Sequence, residues 1–326
     1  MDENVRKVKI NFILKSKELN LDFWIKIGNR LVQHGEKGFD NRDSLEKLHS
    51  KGVRDIYLKE DAFLEYINER ISEKKIYDGG MSVEETLQSL KEDTNLLKEI
   101  FTDMGISEVK QKLITKIQDE SLFLLKKEKN ILNLFEKFKA DGGDEILIKK
   151  ELVTFVAINM LKPFTFFDHN QFSYMSLGIL LCDLLLEADE YWISFNPKET
   201  VKSNKNIFTH TQKIVAYIPE GMCSPDLVNL LEQHHERPDG TGYPRNLQAQ
   251  RISQLSAFYI LAEEFVQEGL KVGFHRPQMI TVKNNILKKY SKYTEKSKSF
   301  SNAAMGLNYM YEETLGDEKT SKEGES

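Results

Sequence analysis

The side chains best suited to chemistry are concentrated in one short string of the sequence. Residues 234–244 read HHERPDGTGYP, and the two adjacent histidines follow the apolar helical pattern of 227–231. Neutral imidazoles are the commonest protein ligands for first-row transition metals. Glycines let the backbone turn close to a ligand, and proline fixes the chain that leaves such a turn. A histidine pair alone is more often incidental than a metal site, so the interpretation depends on the string as a whole.

That string resembles the signature of the HD-GYP family, whose members are all-α, metal-dependent phosphodiesterases that hydrolyse the second messenger cyclic di-GMP. The resemblance covers roughly residues 145–290. The family also carries a His-Asp doublet, a single histidine and a later aspartate, which together with the histidine pair hold several metal ions. The resemblance therefore implies an all-α domain built around a metal centre.

Carried over residue by residue, the resemblance implies four metal ligands. The family's doublet corresponds to Cys182-Asp183, in which the aspartate is present and the histidine is replaced by cysteine. His210 takes the position of the single histidine, and His234 and His235 are the pair. Asp183 also occupies a catalytic position of the family, and we interpret it as a vestigial catalytic residue.

Two further positions are candidate ligands, each with an alternative that stays open. Glu263 stands where the family has an aspartate, and Cys182 is either a soft thiolate ligand or a small buried residue of an apolar helix. Three histidines and Asp183 suffice for one Fe(II), Mn(II) or Zn(II) ion with an open position, whereas a second ion needs both Cys182 and Glu263. The prediction is a mononuclear centre, and the alternative is a remnant polar cluster without metal.

The departures from the family pattern indicate a degenerate domain. Leu185 and Leu186 stand where the family has a glycine and a lysine, and leucine cannot donate to a phosphate oxygen. Only Arg276 is available to replace the family's arginine after the last ligand, and no histidine occurs near residue 150, where another is expected. We interpret His169 as a loop histidine. These losses predict weak or absent phosphodiesterase activity.

Three functions follow as alternatives. The first is a binding module of cyclic di-GMP signalling, with cyclic di-GMP and a GGDEF-type diguanylate cyclase as partners and with these substrate- or partner-binding residues: Gly240, Gly242, Tyr243, Pro244 and Arg276. The second is an active, divergent phosphodiesterase in which, as in the family, a metal-bound hydroxide attacks the phosphodiester. The third is a sensory scaffold whose N-terminal part receives a signal.

The composition narrows the class of protein. Apolar residues make up 40% of the 326 residues and charged residues 30%, which supports a packed core. Forty-six basic and 51 acidic residues give a net charge of −5, which argues against a nucleic-acid polymer or an anionic membrane as partner. The most apolar run, 177–186, is too short to span a bilayer, and no secretory signal follows the N-terminus. With only two cysteines, Cys182 and Cys223, we expect a reduced cytoplasmic protein.

The sequence pattern predicts an α+β chain, whose strands and helices position these residues. Residues 1–77 are expected to form a small α/β accessory or sensory domain. It comprises a strand at 8–14, a hairpin at 23–32 with a Gly28-Asn29 turn, a short helix closed by Gly52, a strand at 54–58 and a helix at 61–73.

Residues 78–143 are expected to be a helical linker, with helices at 82–105 and 107–139 that face either the core or a homodimer partner. Residues 144–312 are predicted to be the all-α HD-type domain, and 313–326 a disordered tail. The helices predicted in this domain are 146–161, 171–187, 207–218, 226–235, 253–268 and 277–290.

Overall fold

The computed structural model describes residues 5–14, 19–72, 82–103, 106–140, 144–195 and 201–316. The chain divides into two compact units, one made of Met1–Gly80 and Glu92–Lys116 and the other of Met81–Lys91 and Ile117–Ser326. The fold is α+β, as predicted, with one small sheet near the N-terminus and a helical body. The division into the domains 1–77, 78–143 and 144–312 stays a prediction.

The first unit contains a four-stranded antiparallel sheet in the order β1-β4-β2-β3. The hairpin predicted at 23–32 is confirmed, and Gly28 takes the positive φ of 61° that its tight turn needs. The elements are β1 (Val5–Lys9), α1 (Ile10–Ile13), β2 (Phe23–Ile27), β3 (Arg30–Gly35), α2 (Arg42–Ser50), β4 (Asp55–Lys59) and α3 (Glu60–Ser72).

The strand predicted at 8–14 is wrong over most of its length. β1 ends at Lys9, and the helical turn α1 follows, with Ile10, Phe12 and Ile13 all buried. Apolar residues at positions 10 and 13 lie one helical turn apart, so a short helix buries both side chains on one face where an extended strand would place them on opposite faces.

The next helices are α4 (Val83–Ile100), α5 (Ser107–Lys127) and α6 (Ile131–Ala140). α4 begins with a capping box, in which the Ser82 amide donates to the Glu85 carboxylate at 2.8 Å and the Glu85 amide donates to Ser82 Oγ at 3.1 Å. The prediction of one continuous helix at 107–139 is wrong. The first helix ends at Lys127. The Asn130 side chain then accepts a hydrogen bond from the Leu132 amide at 2.8 Å and so caps the start of α6.

The second unit continues as a series of helices, and the all-α prediction is confirmed for residues 144–195 and 201–316, where no strand pairs beyond the single bridge between Asp239 and Gln248. α7 is buried along nearly its whole length and packs against α8, α12 and α14. The helices are α7 (Glu145–Leu161), α8 (His169–Leu181), α9 (Ala188–Ile193), α10 (Lys205–Lys213), α11 (Pro225–Gln233), α12 (Gln254–Lys271), α13 (Arg276–Thr294) and α14 (Lys298–Leu315).

Two helices that lead to candidate ligands end earlier than predicted, and one helix was not predicted. The helix predicted at 171–187 ends at Leu181, and the one at 226–235 ends at Gln233, so that the candidate ligands follow the helices. The predicted set lacks α14, which runs to Leu315 with Thr314 and Leu315 buried, so a disordered tail from 313 is wrong for these residues. The rest of that tail, from 317, lies outside the described residues.

A membrane-crossing helix is not found: within the described ranges no helix is both long enough and apolar enough to cross a bilayer.

Candidate metal centre

Four buried side chains that are distant in sequence converge in the second unit. Asp183 follows α8, His210 lies in α10, and His234 and His235 follow α11; their ligating atoms all lie within 4.8 Å of one another. The Nε2 atoms of the three histidines lie 3.0, 3.4 and 3.1 Å from Asp183 Oδ1, in the order His210, His234, His235. The structure therefore brings together the four residues that the family resemblance implied as ligands.

Backbone contacts set the protonation of two of these rings. His210 Nδ1 donates to the Ile207 carbonyl at 2.6 Å, and His234 Nδ1 donates to the Leu231 carbonyl at 2.7 Å. When Nδ1 carries the only proton of a ring, its Nε2 directs a lone pair inward, and the two Nε2 atoms lie only 3.2 Å apart. Two lone pairs and a carboxylate at this separation repel one another unless a cation lies between them. Three imidazole nitrogens and one carboxylate oxygen fit a divalent iron, manganese or zinc ion.

The electrostatics favour the metal-binding form of Asp183 and His235 and the protonated form of His234. Burial alone would raise the pKa of Asp183, but its interactions with His234, His235 and His210 hold it well below the usual value. Burial and the charge on His234 lower the pKa of His235 against the attraction of Asp183. Burial lowers the pKa of His234 too, but Cys182 and Asp183 raise it well above its usual value. Metal binding is therefore coupled to the release of a proton from the group.

The backbone at the end of α8 positions the Asp183 carboxylate. This residue has a φ of +61°, a left-handed conformation that aspartate tolerates better than most side chains. The Lys150 ammonium donates to the carbonyl oxygens of Leu180 at 2.9 Å and Cys182 at 2.5 Å. These bonds satisfy carbonyls that the helix end leaves without intrahelical partners. Lys150 therefore supports the turn from which the carboxylate reaches the centre.

Comparison with known proteins supports the fold. The sequence matches no protein-family model and no curated protein. The structure is similar to that of Bd1817, described as an HDG"Y"P protein from Bdellovibrio bacteriovorus, with a TM-score of 0.50 and 15% sequence identity over 87% of this chain and 100% of that one. The chain has an HD-GYP-like fold. At this identity the likeness concerns the fold alone, so the assignment of the site depends on the geometry above.

The two remaining ligand candidates lie outside the four-residue group. Cys182 is buried and close enough to His234 to raise the pKa of that ring. Glu263 is also buried, but its Oε1 accepts from the Tyr259 hydroxyl at 2.8 Å and lies 3.7 Å from Lys149 Nζ. Arg237 approaches the other carboxylate oxygen of Glu263 at 4.0 Å. A role of either residue in metal binding stays a prediction.

The HHERPDGTGYP string of the HD-GYP-like fold has a structural role beyond its histidines. Glu236 is fully buried, and its carboxylate accepts from the amides of Arg245 at 2.7 Å and Leu247 at 2.8 Å. A Cβ at Gly242 would lie 2.2 Å from the Arg237 backbone nitrogen, so only glycine fits there. Sequence reasoning missed Glu236, although its place directly after the ligand pair was a usable signal.

Tyr243 is a support for the centre. Its ring stacks on His235 with centroids 4.6 Å apart, and its hydroxyl donates to the Ser194 carbonyl at 3.0 Å. The side chain is only 3% exposed and precedes Pro244 through a cis peptide bond. It packs in an apolar cluster with Leu186, at the position where the family has a lysine. Tyr243 is therefore almost fully buried, and with Gly242 it also lines the cavity beside the centre.

A cavity of about 540 Å³ opens beside the candidate metal centre. His235 lines it, together with the cationic residues Arg237, Lys289 and Lys292 and the aromatic rings of Tyr290 and Tyr293. Sequence reasoning missed the residues from α13, whose signal was a basic and aromatic run at 288–293.

Arg276, the predicted phosphate contact, is not among the residues that line this cavity. It donates to the carbonyl oxygens of Leu315 at 3.1 Å and Gly316 at 2.6 Å. Its guanidinium therefore binds the end of α14, as cationic side chains often do at a helix C-terminus.

Proposed function

We propose that the chain is a cytoplasmic cyclic di-GMP signalling protein with a degenerate HD-GYP domain, which binds one divalent metal ion and the nucleotide but hydrolyses the nucleotide slowly or not at all. One observation carries the proposal: His235 belongs both to the four-residue group and to the wall of the cationic cavity. A divalent ion at the group supplies Lewis-acid stabilisation to a phosphate that reaches it from the cavity.

The cavity lining suits a cyclic dinucleotide. Arg237 and Lys292 place positive charge beside His235, where phosphate oxygens would lie, and the tyrosine rings of α13 offer flat surfaces for bases. Lys289 contributes less positive charge, because its ammonium is paired with Glu264 at 2.7 Å. The chemistry of the lining therefore favours a ligand with both phosphates and aromatic bases.

Two other residues, Leu186 and Glu263, argue for slow turnover of the nucleotide. Leu186 is packed in an apolar cluster and offers no donor to a phosphate oxygen, and Glu263 is engaged by Tyr259 and Lys149. Removing one preorganised donor from an active site costs on the order of 10²–10³ in rate. Applied to the missing lysine and, by analogy, to the second metal ion that Glu263 would serve, the two losses together reduce turnover by roughly 10⁴–10⁶.

The test measures metal content, nucleotide binding and turnover in one preparation. Protein purified without oxygen and loaded with Fe(II) or Mn(II) is expected to hold one ion per chain and to bind cyclic di-GMP in calorimetry, with little linear product. His235→Ala is expected to lose the ion and the nucleotide, whereas the matched control His169→Ala, at an exposed position, retains both. A wild type that binds neither ligand would refute the proposal.

The second candidate function is an active, divergent phosphodiesterase, and the contact of His235 with the cavity favours it, because a bound phosphate would lie next to the ion. Rapid turnover that disappears in His235→Ala would establish this function in place of the binding module.

The proposal also includes a GGDEF-type diguanylate cyclase as a partner. Tyr243 is buried, but Asp239, Thr241 and Arg245 of the same loop are exposed and available for contact. Thr241→Trp is expected to weaken co-purification with such a cyclase while metal binding is retained. The homodimer predicted through 78–143 is part of the same proposal, and sedimentation of the full chain tests it.

A further inference from the structure

Lys149 is a buried cation next to the candidate metal centre. Its side chain, from α7, is 1% exposed, and among the described residues its Nζ finds no hydrogen-bond partner. The nearest carboxylate oxygen is Oε1 of Glu263 at 3.7 Å, and the ring centroid of Phe195 lies 3.3 Å from Nζ. The ring of Tyr191 is also close, at 5.3 Å. Aromatic faces and a carboxylate are the surroundings that favour an ammonium ion.

The position of this charge matters because Glu263 is the residue that would have to serve a second metal ion. Burial lowers the pKa of Lys149, and the negative charges of Glu263 and Asp183 oppose that shift, so that its amine lies in the field of both carboxylates. An ion bound to Glu263 Oε1 would lie next to an ammonium that neither solvent nor a hydrogen bond screens. Repulsion between the two cations opposes such binding.

We propose that the Lys149 ammonium takes the place of a second metal ion: it neutralises Glu263 and thereby restricts the centre to the single ion held by Asp183 and the three histidines. This inference rests on the proposed one-metal centre and deepens it, because it names the residue that sets the number of ions. It also assigns Lys149 a positioning role, since the residue acts through Glu263.

The experiment counts metal ions in the full chain after dialysis against a tenfold excess of Mn(II). The wild type is expected to retain one ion per chain. Lys149→Met, which keeps an unbranched apolar side chain of nearly the same length and removes its charge, is expected to retain two. Lys149→Met combined with Glu263→Gln is expected to return to one ion, because the second carboxylate is then absent.

A matched control and a second readout separate this role from general damage. Lys283→Met removes another buried lysine, which donates to Asn308 Oδ1 at 2.9 Å, and is expected to keep one ion. Electron paramagnetic resonance distinguishes an isolated Mn(II) ion from a coupled pair, so Lys149→Met is expected to gain a coupled signal. Lys149→His is the second variant if Lys149→Met does not fold, and it is also expected to hold two ions.

The outcomes distinguish the two proposals. A wild type with two ions, or a folded Lys149→Met or Lys149→His protein with only one, overturns the role of Lys149 and leaves metal binding at the group intact. A wild type with no ion overturns the metal centre itself, and the role of Lys149 with it. The wild-type measurement therefore tests the inference even where no variant folds.

Discussion

A substitution of Glu236 is the sharpest test of how the loop after the histidine pair supports the candidate metal centre. Its carboxylate accepts two backbone amides, from Arg245 at 2.7 Å and from Leu247 at 2.8 Å, and the side chain is fully buried. The loop that these bonds close carries Tyr243, whose ring stacks on His235. We therefore expect Glu236→Gln to weaken both the fold of the loop and the affinity for metal.

The magnitude follows from counting the bonds. Glutamine has the same shape, but its NH₂ group must face one of the two backbone amides, which leaves a buried N–H unpaired at a cost of about 1–3 kcal/mol. The remaining bond loses its charge assistance, worth roughly 1 kcal/mol more. The expected loss in the free energy of unfolding is therefore about 2–4 kcal/mol. Loss of an outer support of a metal ligand typically costs about 10–100-fold in metal affinity.

The assay is urea unfolding of the metal-free protein, followed by circular dichroism, with comparison of midpoint and slope. The matched control is Glu232→Gln, because Glu232 pairs with Arg245 at 3.4 Å in a partly exposed position. A surface pair of this kind contributes about 0–1 kcal/mol, so the control is expected to unfold close to the wild type. A loss below about 0.5 kcal/mol in Glu236→Gln would refute the assigned role of the carboxylate.

Three further predictions concern the same unit. Gly242→Ala places a Cβ 2.2 Å from the Arg237 backbone nitrogen, so we expect a loss of about 1–3 kcal/mol in urea unfolding, and an unchanged midpoint would contradict the close approach. Tyr243→Phe removes only the hydroxyl bonded to Ser194; we expect a loss of about 1 kcal/mol with metal binding retained, and loss of the ion would show that ring stacking is not the main support. Burial raises the pKa of Glu151 to about 7 from 4.5, against a hydrogen bond from Ser121 and the charge of Lys150. The folded state then binds the proton more tightly than the unfolded state, so this stabilisation is present below about pH 4.5 and is lost as the pH rises through about 7, by roughly 3 kcal/mol at 1.36 kcal/mol per pKa unit. Glu151→Gln is expected to flatten this dependence in unfolding measured across that range, and an equally steep dependence in the variant would assign it to another group.

Local signals were sufficient for much of the fold. The Gly28-Asn29 turn, the Ser82–Glu85 capping box and the all-α character of the C-terminal part were all readable, because each depends on residues a few positions apart. The break between α5 and α6 was missed, because the residues around it, 126–129 (KKEK), are compatible with a helix and the local signal is the single cap residue Asn130.

The four residues of the candidate centre could also be named from sequence, through the resemblance of Asp183, His210 and the histidine pair to the family pattern. Sequence could not show that Asp183 lies in a left-handed turn outside its helix, because the apolar run continues past that residue.

Tertiary structure alone determined how the buried charges are paired. In the sequence, Glu263 is an acidic residue at a ligand position, and Lys149 is one lysine among many. The fold brings them within 3.7 Å and encloses the ammonium with Phe195. An unpaired charge is costly when it is buried, so a buried carboxylate needs a cation beside it. Whether that cation is a metal ion or an ammonium depends on which of them the packing of the fold places nearest. That neighbour comes from a helix distant in sequence, so no local pattern encodes it.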